Sequence, residues 1–496
     1  MKNFTTTLLQ PIAVSVLALG VSQQVCTAVP PTGDVPGQVV ARMAPGHAVA
    51  ELLNALSWHT HQLNVIQAGG TPALVYLQYE LGPGQSSSGV AIAIANGAQL
   101  GFLRWGEHNR WGGDAEGQTG SLWVTGLADY TVFASQYAIG SLRLGEGWAR
   151  SRGAGVTIAI VDSGVDMTHE AVQGPQAMGN WDFVGNDDNP NEEGDGIDND
   201  NDGQMDESVG HGTYVASLIR LVAPESRQIH LRVLDDEGNT TTYQIAQAIY
   251  RAIESGADVI NVSIATADYS ALLSEACAAA RDAGIIVLGA MGNHPVPNLP
   301  TYPAYEPTVC AVGATNWVEV RASFSGYGTA MDVLAPGATA AWPDGPFDDN
   351  AAILGAAIGG GYAYWQGTSF STAFASGCVA LVRAQYPQWP DASVPANQIF
   401  STTMAILGST AQNLDATEPA NAGLLGYGLI DIAAATAMGP VAPSLADLNG
   451  DGTVNGEDLG AILVGWGACA GCTADLTGDG VVNGADLTLL FTAWGN

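Results

Sequence analysis

From residue 155 onward the chain alternates short, largely apolar runs with helix-forming stretches. That alternation narrows the choice of fold more than any other feature. The runs lie at 156–161, 229–234, 259–264, 285–290 and 309–312, and helical patterns lie at 211–222, 241–255, 268–283, 369–386 and 395–407. A strand with no polar face must be covered on both sides, and intervening helices supply the covers. The expectation is an α/β domain built on a parallel sheet sandwiched by helices. In such sheets, chemistry gathers at the carboxyl ends of the strands.

Four polar signals fall at such ends. The run at 156–161 leads into Asp162-Ser163-Gly164, where an acid can orient an imidazole or simply form an Asp-x-Gly turn. Gly210-His211-Gly212-Thr213 opens a helix; its imidazole is either an accessible base or a helix-entry histidine. The run at 285–290 leads into Met291-Gly292-Asn293, whose amide can donate to a developing oxyanion or belong to an ordinary Gly-Asn turn. Gly367-Thr368-Ser369 precedes a helix of small apolar residues. A hydroxyl there lies at the positive end of a helix, suited to attack a carbonyl, although Gly-Thr-Ser alone also reads as an N-cap.

Taken together, these stretches resemble the subtilases, the subtilisin-like serine proteases, whose triad runs in the order Asp, His, Ser. Supporting stretches are Val222-Ala223-Pro224, Arg232-Val233-Leu234, Ile260-Asn261-Val262-Ser263, and Tyr302-Pro303 followed by Ala311-Val312-Gly313. The resemblance spans about residues 135–438. It implies that Ser369 is the nucleophile, His211 the general base and Asp162 the group that holds the imidazole. Asn293 and the Ser369 N–H would form the oxyanion hole. Ser263, Ile264 and Ala265 would pair with an extended substrate. With Ala290, Met291, Gly292 and the uncharged Thr301, they imply a pocket for apolar or aromatic side chains before the cut bond. Two departures stand out: Phe370-Ser371-Thr372-Ala373 replaces the family's usual Met-Ala-Ser-Pro after the nucleophile, and Ser263-Ile264-Ala265 lacks a glycine common in the substrate strand.

Between Asp162 and His211 lies an acidic insertion at 195–207. Asp198, Asp200 and Asp202 with Gly203 fit positions 1, 3, 5 and 6 of a calcium loop. Val209 occupies position 12, where a bidentate acid belongs, so Asp206 or Glu207 would have to substitute; the alternative is a solvated acidic turn.

The chain's start reads as an export signal at 1–28: Lys2, an apolar core at 11–21, and Cys26-Thr27-Ala28 as a cleavage site. Residues 29–112 predict a β-α-β-β-α-β sandwich, with strands at 38–43, 63–67, 73–79 and 101–105 and helices at 48–56 and 88–99. His47, His59, His61 and His108 are scattered through it without a constellation. The order resembles a subtilase propeptide, implying a folding aid and temporary inhibitor removed by self-cleavage somewhere after residue 109. The catalytic domain is expected over 113–438.

Residues 439–496 hold a repeat with a period of 475 − 447 = 28 residues. Asp447, Asn449, Asp451, the Thr453 carbonyl, Asn455 and Asp458 fall at calcium-loop positions 1, 3, 5, 7, 9 and 12. Asp475, Thr477, Asp479, the Val481 carbonyl, Asn483 and Asp486 repeat the scheme. Oxygen-only ligands indicate Ca²⁺ rather than zinc. The doubled loop and helix resemble a dockerin, implying a small all-α calcium-loop domain and a cohesin-like partner; the alternative is a calcium-rigidified tail. Cys469 and Cys472 form a C-x-x-C for which a local disulfide is the preferred reading over a zinc half-site or redox motif.

Charge excludes some partners. The net charge is −34, from 14 basic and 48 acidic side chains, and Lys2 is the only lysine, which argues against nucleic acid and anionic membrane. No apolar stretch predicts a membrane span. The expectation is a secreted serine endopeptidase acting on peptides, with a calcium-loaded docking module that could hold it at a cell surface. The alternative is a catalytically silent calcium-dependent scaffold.

Overall fold

The computed structural model describes residues 33–70, 73–115, 124–125, 129–199, 205–339, 351–391, 394–438, 446–449, 454–469, 472–477 and 480–494. The expected export signal and the expected ligands Asp200, Asp202, Asp451, Thr453 and Asp479 lie outside them.

The chain begins with β1 (Asp34–Met43), α1 (Val49–Ser57), β2 (Gln62–Gly69), β3 (Leu74–Glu80), α2 (Ser87–Gln99) and β4 (Leu103–Asp114). The strands run antiparallel in the order β4-β1-β3-β2. Alternate residues of β1 (Val39, Ala41, Met43) meet Leu52 and Leu56 of α1 and Val90 and Ile94 of α2 in one core. That is the period-2 and period-3.6 burial expected of two helices on one sheet face. The last strand is the surprise. Sequence predicts it over 101–105, but it continues to Asp114 by pairing outside its own domain.

The next body follows the apolar runs. Its strands are β5 (Thr157–Asp162), β6 (Trp181–Asp182), β7 (Arg227–Arg232), β8 (Asn239–Thr241), β9 (Val259–Val262), β10 (Ile264–Ala265), β11 (Ile286–Ala290), β12 (Val309–Thr315) and β13 (Val333–Pro336). Seven of them form a parallel sheet in the order β13-β12-β11-β9-β5-β7-β6. Ile158 and Ile160 of β5 face one core, and Ala159 and Val161 face the other. The first core is covered by α3 (His211–Val222) and α6 (Thr368–Arg383), the second by α4 (Thr242–Glu254) and α5 (Ala271–Asp282). Burial on both faces explains why most of these strands read as largely apolar runs rather than as alternating ones.

α7 (Ile399–Thr410) precedes the C-terminal repeats. There, α8 (Gly456–Val464) and α9 (Gly484–Thr492) pack through Ile462 and Leu490. Each helix opens with the same capping box, Asn455 with Asp458 and Asn483 with Asp486. Cys469 and Cys472 are joined in a disulfide, the reading preferred from their spacing. Among the described residues, no helix is long and apolar enough to cross a membrane.

Candidate active site

The ends of β5, β9 and β11 and the N-termini of α3 and α6 meet at one rim of the sheet. Asp162 is the last residue of β5 and His211 the first of α3. His211 Nδ1 lies 2.6 Å from Asp162 Oδ1, and both side chains are buried. A carboxylate accepts only, so Nδ1 carries the proton and Nε2 is left as the basic nitrogen. Asp162 Oδ1 also accepts from the Ser163 N–H at 2.8 Å. Gly212 is required beside the histidine because a Cβ there would lie 2.2 Å from the Gly164 carbonyl oxygen. The imidazole packs edge-on against Trp365, with ring centroids 5.5 Å apart, and beside Phe370 at 5.5 Å. Phe370 directly follows Ser369, so these rings hold His211 against the turn that carries the hydroxyl.

Ser369 lies in the first turn of α6 and is buried. Its hydroxyl donates to the Ser263 carbonyl at 3.2 Å, while the Ser263 hydroxyl donates to the Ser369 carbonyl at 3.1 Å. Ser263 is itself held by Asn261 Nδ2 at 2.9 Å, and Asn261 Oδ1 accepts from Ser376 at 2.9 Å. Asn293, just beyond β11, accepts through Oδ1 from the Thr368 N–H and hydroxyl, both at 3.0 Å. Those two bonds fix which end of the amide is the acceptor, and its N–H₂ end points elsewhere.

Sequence reasoning passed over Glu192. It is buried, and its carboxylate accepts from the Ser163 hydroxyl, the Gly212 N–H at 3.3 Å, and the Thr213 N–H and hydroxyl at 3.1 and 2.5 Å. Burial pushes its carboxyl up, against the downward pull of Ser163 and Thr213. One acid in an acidic loop carries no periodic signal, so the sequence offered nothing to single it out.

Of the expected substrate residues, Ile264 and Ala265 pair with Asp114 and Gly113 of β4. Ala265 and Ala290 share a buried cluster with Ala115. Met291 packs instead among Ala304, Met331 and Leu334. Gly292 and Thr301 both lie against the buried His294, whose Nε2 is 3.0 Å from Thr301 Oγ1. Burial lowers the affinity of His294 for a proton.

A family model described as the subtilase family matches residues 153–428. The chain belongs to that family. A subtilisin from Bacillus pumilus is 32% identical over 270 residues, covering 52% of this chain and 86% of that protein. Thermitase from Thermoactinomyces vulgaris is 32% identical over 260 residues, covering 50% and 82%. The structure of fervidolysin from Fervidobacterium pennivorans aligns with a TM-score of 0.63 over 84% of this chain and 64% of that one; at 19% identity it speaks for the fold alone. This subtilase is therefore a subtilisin-like serine endopeptidase with the subtilisin-like α/β fold.

Its acidic loop also gathers charge. Carboxylate oxygens of Asp195, Asp206 and Asp236 lie within 4.8 Å of one another. Asp236 comes from the far side of His211 and was not foreseen, while Asp198, the expected first ligand, is not among the three. All three donors are oxygens, which suits a hard divalent cation. Asp206 also accepts from the Asp195 N–H at 3.0 Å. In the C-terminal repeats, Asp458 accepts from the Leu448, Asn449 and Asn455 N–H groups, and Asp486 accepts from those of Thr477 and Asn483.

Proposed function

We propose that Ser369, His211, Asp162 and Asn293 hydrolyse peptide bonds through an acyl-enzyme. Ser369 Oγ adds to the carbonyl carbon and gives its proton to His211 Nε2. Asp162 keeps the imidazole in the receptive tautomer and stabilises its charged form. Asn293 Nδ2 and the Ser369 N–H receive the oxyanion. His211 then returns the proton to the leaving amine, and water repeats the sequence to free the acid. The observation that carries this reading is the buried 2.6 Å Asp162–His211 contact in a chain of the subtilase family. The uncharged wall of Ala265, Ala290 and Thr301 supports apolar or aromatic side chains before the cut bond. The substrate backbone would add as a strand along Ser263, Ile264 and Ala265.

In the same reading, residues 29–112 form a propeptide that inhibits until removed, residues 113–438 the protease, and residues 439–496 a dockerin-like module. Export to the cell exterior accords with the signal-like start. Calcium would be held by Asp195, Asp206 and Asp236 and by the two C-terminal loops, where bound ion would screen mutual repulsion. The exposed Leu463, Val464, Trp466, Phe491 and Trp494 supply an apolar face for a cohesin-like partner.

Casein hydrolysis by the secreted chain and by Ser369→Ala tests the proposal. Loss of the nucleophile should cost about a millionfold in kcat. Equal hydrolysis by both chains would reject the triad, and calcium-dependent partner capture with no hydrolysis by either would favour a silent scaffold.

A further inference from the structure

β4 runs between two strands of the protease body at once. Trp111, Gly112 and Gly113 pair with Thr241, Thr240 and Asn239 of β8 on one side. On the other side, Gly113 and Asp114 pair antiparallel with Ala265 and Ile264 of β10. In that register each pair of residue numbers sums to 378, so Ala115 stands opposite Ser263. Ser263 is the residue in mutual contact with Ser369, its carbonyl 3.2 Å from the Ser369 hydroxyl. Ala115 is 1% exposed, its methyl packed with the methyls of Ala265 and Ala290. A methyl added at Gly292 would come within 2.5 Å of His294 Cε1, so the ring of His294 fills the space beside Gly292.

We propose that the enzyme cuts its own chain on the carboxyl side of Ala115, and that the pocket holding Ala115 selects small side chains. This rests on the protease reading above, moves the end of the propeptide from residue 112 to residue 115, and narrows the apolar-or-aromatic pocket to alanine-sized groups. Ser369 Oγ adds to the Ala115 carbonyl carbon, and the proton passes to His211. The bond to the next residue's nitrogen breaks, and that nitrogen takes the proton. Water then hydrolyses the Ala115 ester, leaving a carboxylate on Ala115 and a mature chain that starts at Glu116. No electrons are exchanged with a second reagent.

The test uses the full chain. N-terminal sequencing and intact mass of the secreted product should give a mature start at Glu116, absent from Ser369→Ala. Ala115→Gly should process normally, and Ala115→Phe at least tenfold more slowly. Because Ala115→Phe could misfold, the processed wild-type enzyme is also assayed on Gly-Gly-Asp-Ala and Gly-Gly-Asp-Phe anilides. A kcat/KM at least tenfold higher for the alanine substrate is expected. A mature start at any other residue, or a preference for phenylalanine, overturns the proposal while leaving the protease reading intact. A chain that neither processes itself nor cleaves casein overturns both.

Discussion

Glu192 and Ser163 share a buried hydrogen bond one residue beyond Asp162. Glu192 also holds the first two N–H groups after His211, so a single carboxylate ties the acid's strand to the base's helix. Glu192→Ala leaves those donors without their acceptor and frees α3 to shift against β5. Misplacement of about 1 Å costs about a hundredfold in rate. The expected result is a fall of that order in kcat with little change in KM, partly restored by Glu192→Asp. Steady-state kinetics on one peptide substrate distinguish this from general destabilisation, which would lower active-enzyme titre instead.

Asn293→Ala removes the donor that the Thr368 contacts orient. We expect kcat to fall by roughly 10²–10³ with KM nearly unchanged, because the interaction develops with the oxyanion. A matching rise in KM would mean that Asn293 binds ground-state substrate.

The leading domain grips the protease through two helix caps. Glu107 accepts from the Ser270 hydroxyl at 2.6 Å and the Ala271 and Leu272 N–H groups at 2.9 and 3.0 Å, at the start of α5. Asn109 Oδ1 accepts from the Thr242 hydroxyl at 3.1 Å and the Tyr243 N–H at 3.0 Å, at the start of α4. Each cap is worth about 1 kcal/mol. Glu107→Ala and Asn109→Ala should each weaken the grip by about fivefold. The check is the lag between self-processing and full activity, which should shorten in each variant and most in the double variant.

His230 is buried, its two ring nitrogens have no hydrogen-bond partner, and burial pushes its pKa down to about 3 from 6.5. Between those values the unfolded chain binds a proton that the folded chain refuses. Stability from this group therefore falls as pH drops below 6.5, by about 1.4 kcal/mol per unit. Asp332, pushed up to about 7 by burial, acts in the opposite direction, so the variant-minus-parent difference is the quantity to follow. His230→Leu in the Ser369→Ala background should gain Tm relative to its parent, increasingly so from pH 6 to pH 4.

Chelation should loosen the C-terminal repeats before the protease body. Asp458 and Asp486 are fully buried at the loop ends, and removing a bound cation leaves the remaining loop carboxylates to repel one another. Fluorescence of Trp466 and Trp494 should shift on chelator addition and recover with calcium. Asp458→Asn combined with Asp486→Asn should abolish the recovery.

The sheet and its covering helices were legible because burial on both faces writes short, largely apolar runs. The run at 285–290 appears as Ile286–Ala290, and the helix expected at 211–222 spans those same residues. The edge strands Trp181–Asp182 and Val333–Pro336 escaped because they are too short to show a pattern. The tail of β4 escaped for another reason. Gly112, Gly113 and their polar neighbours have little strand preference of their own and are extended because β8 and β10 pair with them. Asp162, His211, Ser369 and Asn293 were readable as motifs at element ends. Glu192, Asp236 and Ala115 were not, since each acquires its surroundings from residues distant in sequence.

The two helix caps also separate scission from liberation. Severing the backbone after Ala115 would remove one covalent link but none of the hydrogen bonds from Glu107 and Asn109, so the cut fragment would stay held at the starts of α4 and α5. Under the cut proposed after Ala115, the onset of activity would then follow the departure of the former N-terminus rather than the cut itself.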